Sequence, residues 1–190
     1  THCISSAASD VYKRQMSHTI TIVGLGNYSI DDLPLGIYRF LKNKPKIYAR
    51  TLDHPVVEEL KTELHFESFD DIYEDNATFE EVYETIVNEL IQRAQFEDIV
   101  YAVPGHPRAA ETTTAKLLEY SQSHDDINVE TLGGKSFIDD IFEAVNVDPN
   151  DGFTLLDGTA LEESMLNIRT HTMITQVYSA MVAADLKLTL

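Results

Sequence analysis

The residues best placed to do chemistry lie in two glycine turns, each behind a β-like run. The first is Ile20-Thr21-Ile22-Val23-Gly24-Leu25-Gly26, followed by Asn27. The second is Ile99-Val100-Tyr101-Ala102-Val103-Pro104-Gly105-His106-Pro107, followed by Arg108 and Ala109. In an open α/β sheet, ligands bind beyond the carboxyl ends of the strands. Glycine there lets backbone approach a ligand closely. Two such turns predict one shared cleft. Pro104 and Pro107 fix φ on either side of Gly105, so the second loop reads as rigid. This pattern suits holding a small molecule in place rather than attacking it. The one cysteine is Cys3, which argues against thiol catalysis. His65, His124 and His171 are scattered and form no pair of metal-binding type. Asp70-Asp71 and Asp139-Asp140 read as solvated faces, so no metal is expected. His54, just before Pro55, is expected to cap a helix or pack on a cleft wall.

Two nucleotide motifs fail. Gly24-Leu25-Gly26-Asn27-Tyr28-Ser29 lacks the third glycine of a dinucleotide fingerprint, and Pro34 interrupts the helix that should follow. The second strand ends in Arg50 rather than an acid for a ribose hydroxyl. No phosphate-binding loop with Gly-Lys-Ser/Thr is present.

The elements that must position the turns alternate. Strands are predicted over residues 20–23, 46–49, 99–103 and 128–132. Helices are predicted over 36–41, 55–64 and 108–120. A further helix opens on the capping box Thr78-Phe79-Glu80-Glu81. Its apolar face carries Val82, Tyr83, Ile86, Val87, Leu90 and Ile91 at helical spacing. This order predicts a parallel, doubly wound sheet. Beyond Gly133-Gly134, a helix over 136–145, strands over 153–156 and 172–177 and a helix over 178–184 predict a smaller mixed α/β domain. Leu186, Leu188 and Leu190 alternate as a further strand would. The expected layout is a non-native, disordered leader over 1–15, a doubly wound α/β domain over 16–132 and a partial α/β domain over 133–190. The leader resembles translated adapter sequence, with Met16 as the true start.

The chain has 190 residues and 43% hydrophobic content, enough for a sizeable core. Its net charge is −18, from 14 basic and 32 acidic residues, which excludes nucleic acid and anionic membrane as natural partners. With no transmembrane run and no cysteine pair, a cytoplasmic setting is expected.

Further words continue the pattern of the two turns. They are Leu33-Pro34-Leu35-Gly36-Ile37-Tyr38-Arg39, Tyr48-Ala49-Arg50-Thr51-Leu52-Asp53-His54-Pro55 and Gly133-Gly134-Lys135-Ser136-Phe137. Gly152-Phe153-Thr154-Leu155-Leu156-Asp157 and Thr175-Gln176-Val177-Tyr178 follow. Together they resemble the tetrapyrrole (corrin/porphyrin) methylase family. More narrowly they resemble the methylase-like domain at the N-terminus of MazG-type nucleotide pyrophosphohydrolases. The resemblance implies a methyltransferase that uses S-adenosylmethionine (SAM), held in a cleft between two domains. It places SAM against Gly24, Gly26 and Asn27, against Pro104, Gly105, His106, Pro107 and Ala109, against Ser136 and Phe137, and against Gln176, Val177 and Tyr178.

The wider family carries Gly-Asp-Pro where this chain has Gly105-His106-Pro107, and the MazG-linked branch carries Gly-His-Pro. Chemistry would be in-line displacement at the donor's sulfonium, in which the protein mainly positions two reactants. The acceptor is open. Tetrapyrroles are polycarboxylates that favour Arg and Lys. Arg39, Arg50, Arg108, Lys135 and Arg169 could line a basic cleft or be ordinary surface charge. The alternative to an enzyme is a SAM- or nucleotide-binding module that regulates a fused MazG-type domain beyond residue 190. Expected partners are a small-molecule substrate, a second copy in a homodimer, and that fused domain. The acids over residues 80–89 lack the pyrophosphohydrolase's Glu-x-x-Glu and Glu-x-x-Asp pattern.

Overall fold

The computed structural model describes residues 17–190; the expectations for the leader and Met16 lie outside the described residues. The chain divides into two compact units, the first ending at Phe137 and the second covering Ile138–Leu190.

The first unit is built on five strands: β1 (His18–Gly24), β2 (Ile47–Ala49), β3 (Phe66–Ser68), β4 (Ile99–Val103) and β5 (Ile127–Leu132). They form one parallel sheet in the order β3-β2-β4-β1-β5. Central parallel strands are buried on both faces, which is why β4 is apolar at every position. Residues of β1 alternate between two cores. Ile20 and Ile22 face Val82, Ile86 and Leu90 of α4 (Phe79–Ala94) and Leu117 of α5 (Thr112–Ser123). Val23 and Leu25 face Ile37 and Leu41 of α1 (Leu35–Lys42) and Val56, Val57 and Leu60 of α2 (Pro55–Leu60). The short helix α3 (Asp70–Asp75) joins the α4 side through Ile72 and Tyr73. Helices therefore cover both faces, as a doubly wound sheet requires.

Chain direction makes one place in this sheet special. Strand β1 leads to α1 on one face, and its neighbour β4 leads to α5 on the other. The crevice between their carboxyl ends is the topological switch point, where such sheets bind ligands.

The capping box is present. Glu81 N–H donates to Thr78 Oγ1 at 3.3 Å, and Thr78 N–H donates to Glu81 Oε2 at 3.1 Å. Several boundaries differ from expectation. The helix expected from residue 108 starts at Thr112, because Ala109 N–H turns back to His106 O and Ala110 sits at φ 55°. Strand β3 and helix α3 were missed. The first is three residues long and the second has no fully buried residue to betray a face.

The second unit holds α6 (Phe137–Val145) over most of its length, a parallel pair β6 (Phe153–Asp157) and β7 (His171–Thr175), and α7 (Ala180–Thr189). The strand expected over 172–177 stops at Thr175, because Gln176 takes φ 61°. The strand expected at Leu186, Leu188 and Leu190 is a correction: Leu186 and Leu188 lie in α7. Ser179 caps that helix by accepting from Val182 N–H at 3.2 Å. A cap followed by alanines outweighs the leucine alternation. Among the described residues, no helix is long and apolar enough to cross a membrane.

Candidate functional site

The two glycine turns meet at the switch point. Beyond the paired strands, Leu25 N–H donates to Val103 O at 2.9 Å. Gly26 and Gly105 then pair antiparallel: Gly26 N–H donates to Gly105 O at 3.1 Å, and Gly105 N–H donates to Gly26 O at 2.7 Å. Both take left-handed backbone, φ 75° and 65°. Glycine adopts this without the clash that a Cβ brings.

A third segment completes the junction. A Cβ on Gly24 would lie 2.5 Å from Gly105 O and 2.7 Å from Gly134 N and from Pro107 Cδ. A Cβ on Gly134 would lie 2.6 Å from both Gly105 O and Gly24 O. The ends of β1, β4 and β5 therefore touch backbone to backbone. Gly134 falls where the second domain was expected to begin, and its glycine is required by close contact.

His106 is half-buried and faces inward on its own loop. Its Nδ1 accepts from Arg108 N–H at 3.1 Å, and its Nε2 lies 2.8 Å from where a Cβ on Gly133 would be. The imidazole thus shapes the turn. His54 does the same for the first turn and caps a helix, as expected. Its Nδ1 accepts from Val56 N–H at 3.3 Å, capping α2, so Nε2 carries the proton. Nε2–H donates to Gly26 O at 3.1 Å. Burial pushes the His54 pKa below the ordinary histidine value, although the Gly26 carbonyl opposes this. The unfolded chain therefore takes up a proton first as pH falls. We expect stability to decline once pH drops below about 6.5, where a free imidazole charges, and to level off below the folded pKa. Urea unfolding across pH should show this decline in the native protein. His54→Asn, which cannot titrate, should lose it.

Around the junction, Asn27 is half-buried, with its Oδ1 3.3 Å from a Cβ position on Gly105. Pro107 is buried, Pro104 and Ala109 are half-buried, and Ser136 and Phe137 are half-buried after Gly134. Gln176, Val177 and Tyr178 belong to the second unit, on the exposed connection from β7 to α7.

Two of the five candidate basic residues are engaged by acids. Lys135 pairs with Asp32 at 3.2 Å. Arg50 pairs with Glu111 at 2.6 Å and donates through Nε to Tyr73 Oη at 2.8 Å. Arg39 and Arg108 are exposed, and Arg169 is exposed in the second unit. Reading Arg50 as surface charge is corrected by this pair. Sequence reasoning missed Glu111 because it fell inside an expected helix. The signal was an acid directly before Thr112-Thr113-Thr114, a run that starts a helix better than it continues one. Among the described residues, no group of three or more His, Cys, Asp or Glu is gathered to hold a metal.

Open parallel α/β sheets commonly bind their ligands at such a switch point. This chain belongs to the tetrapyrrole (corrin/porphyrin) methylase family, whose sequence model matches residues 19–181. It is 44% identical over 176 residues, 92% of its length, to the uncharacterized protein YabN of Bacillus subtilis (strain 168). The chain spans 36% of that relative. Solved structures share the fold. Diphthine synthase matches with TM-score 0.61 at 17% identity, covering 85% of this chain and 66% of that one. The cobalamin-biosynthesis precorrin-6Y methylase of Archaeoglobus fulgidus matches with TM-score 0.60 at 16% identity, covering 83% and 73%.

Proposed function

We propose that this chain is a SAM-dependent methyltransferase of the tetrapyrrole methylase family, with the methyl donor held at the glycine junction. The observation that carries the reading is the pairing of Gly26 with Gly105 at the switch point. A Cβ on Gly26 would meet Asp32 and Lys135 at 3.8 Å, ordinary contact distance, so glycine serves this turn through its left-handed φ of 75°. The residues present suit such a donor. Asn27 and Ser136 supply polar groups, while Pro104, Ala109 and Phe137 supply small or apolar surface. The N–H groups of Gly26 and Gly105 are already used by each other, so the turns shape the site rather than donate to the ligand. When bound, SAM would supply a methyl group on a sulfonium. The protein's part is to hold and orient donor and acceptor and to keep water away.

A second reading has its own support. Arg50 and Lys135 are engaged by acids in a chain of net charge −18, which suits a polycarboxylate acceptor poorly. The match also covers only 36% of YabN, so that relative extends well beyond the matched region. On this reading the unit binds SAM or a nucleotide and regulates a fused MazG-type pyrophosphohydrolase. Calorimetric titration with SAM and with a nucleoside triphosphate, followed by assay for S-adenosylhomocysteine in the presence of porphyrinoid carboxylates, tests both. Binding with turnover supports the enzyme. Binding without turnover in the full-length gene product favours the regulatory module. No binding of SAM overturns the enzyme, and no binding of either SAM or a nucleoside triphosphate overturns the regulatory module as well.

A further inference from the structure

A buried ion pair behind the second glycine turn has no part in the site described so far. The Glu111 side chain is 3% exposed and that of Arg50 26%. Glu111 is the N-cap of α5 yet makes no capping bond with its side chain. Its carboxylate turns to Arg50 Nη1 instead. Arg50 is itself fixed on two sides. Its N–H donates to Ala102 O at 2.9 Å, and its guanidinium bonds Tyr73 Oη and lies 5.9 Å from the Tyr83 ring.

A carboxylate this buried is costly unless paired, and a solvated Ser or Asp would cap α5 more cheaply. The pair must therefore do something a surface cap would not. Its neighbour on the chain shows what that is. Ala110, next to Glu111, sits at φ 55°, a backbone state an L-alanine holds only when its surroundings fix it. On one side, Ala109 N–H is tied to His106 O. On the other, Glu111 is tied to Arg50.

We propose that Arg50 and Glu111 are positioning residues: their ion pair latches the chain's entry into α5 and thereby holds residues 105–110 in the shape of the second turn. The consequence for ligand affinity rests on reading this turn as the SAM site, but the latch itself does not.

Residue-resolved hydrogen exchange on the unliganded chain tests it. The reporters are the hydrogen-bonded amides of Gly105, Arg108 and Ala109, with Val100 to Val103 of β4 as the reference. The key variant is Arg50→Met/Glu111→Leu, since replacing both members of a buried pair by apolar groups tends to preserve folding. We expect the loop amides to exchange at least about tenfold faster while β4 is unchanged. Arg50→Lys, which keeps the charge, should restore part of the protection relative to the double variant. Unchanged loop exchange overturns the latch, as does loop and β4 exchange rising together. If the double variant does not fold, Glu111→Gln takes its place under the same criteria. Absence of SAM binding to the native chain would leave the exchange result intact and sink only the ligand reading.

Discussion

Gly134→Ala should be among the most damaging single-methyl changes in this protein. The added Cβ would meet Gly105 O and Gly24 O at 2.6 Å, and both are backbone atoms that no rotamer change can move aside. The carboxyl ends of three strands would have to part. Overpacking of this kind costs about 1–3 kcal/mol and more where backbone must shift, so a loss at or above the top of that range is expected. Gly24→Ala should behave alike, with contacts at 2.5 Å and 2.7 Å. Gly36→Ala on α1 is the control, because nothing lies within 4 Å of its Cβ position. A helical Gly→Ala change there should stabilise by roughly 0.5–1 kcal/mol. Urea unfolding of the three variants checks the set. Gly134→Ala within about 0.5 kcal/mol of the native protein, the scale of a neutral surface change, would show that the junction is loose.

The second large effect is on binding. Gly105→Val places a β-branched residue at φ 65°, with its Cβ 3.3 Å from Asn27 Oδ1. Valine avoids that backbone region, so the turn must rearrange and its pairing with Gly26 must break. We expect SAM affinity to fall beyond calorimetric detection while the apolar cores on both sheet faces stay folded. His106→Ala should be milder. Its imidazole serves Arg108 N–H, a single hydrogen bond worth about 1 kcal/mol, which corresponds to roughly fivefold in affinity if the turn loosens by that amount. An equal loss from the two variants would mean that the imidazole itself touches ligand.

Strong local signals carried much of the fold into the sequence. Ile99 to Val103 could only be a strand buried on both faces, and Thr78 with Glu81 marked a helix start without help from the rest of the chain. Pro55 after His54 did the same for α2. The misses fall where local signals compete or are short. Leu186 and Leu188 alternate like a strand, but Ser179 and the alanines behind it decide for helix. Phe66–Ser68 is too brief to show a period. At the site, Gly26 and Gly105 were legible because a strand runs into each. Gly134 was visible as a glycine but not as a contact, since its partners Gly24 and Gly105 are distant in sequence. The Arg50–Glu111 pair was hidden for the same reason: neither residue has a nearby partner, and only the sheet order brings the ends of β2 and β4 together.

The central claim is that ligand binds at the junction of the glycine turns. Mapping backbone amide shifts while S-adenosylhomocysteine is titrated into the chain tests this most directly. The account predicts shifts concentrated at Gly24 to Asn27, Gly105 to Ala109 and Gly134 to Phe137. Saturating ligand that leaves those amides unmoved, or shifts confined to the apolar cavity of the second unit lined by Phe142, Phe153 and Met173, would contradict it.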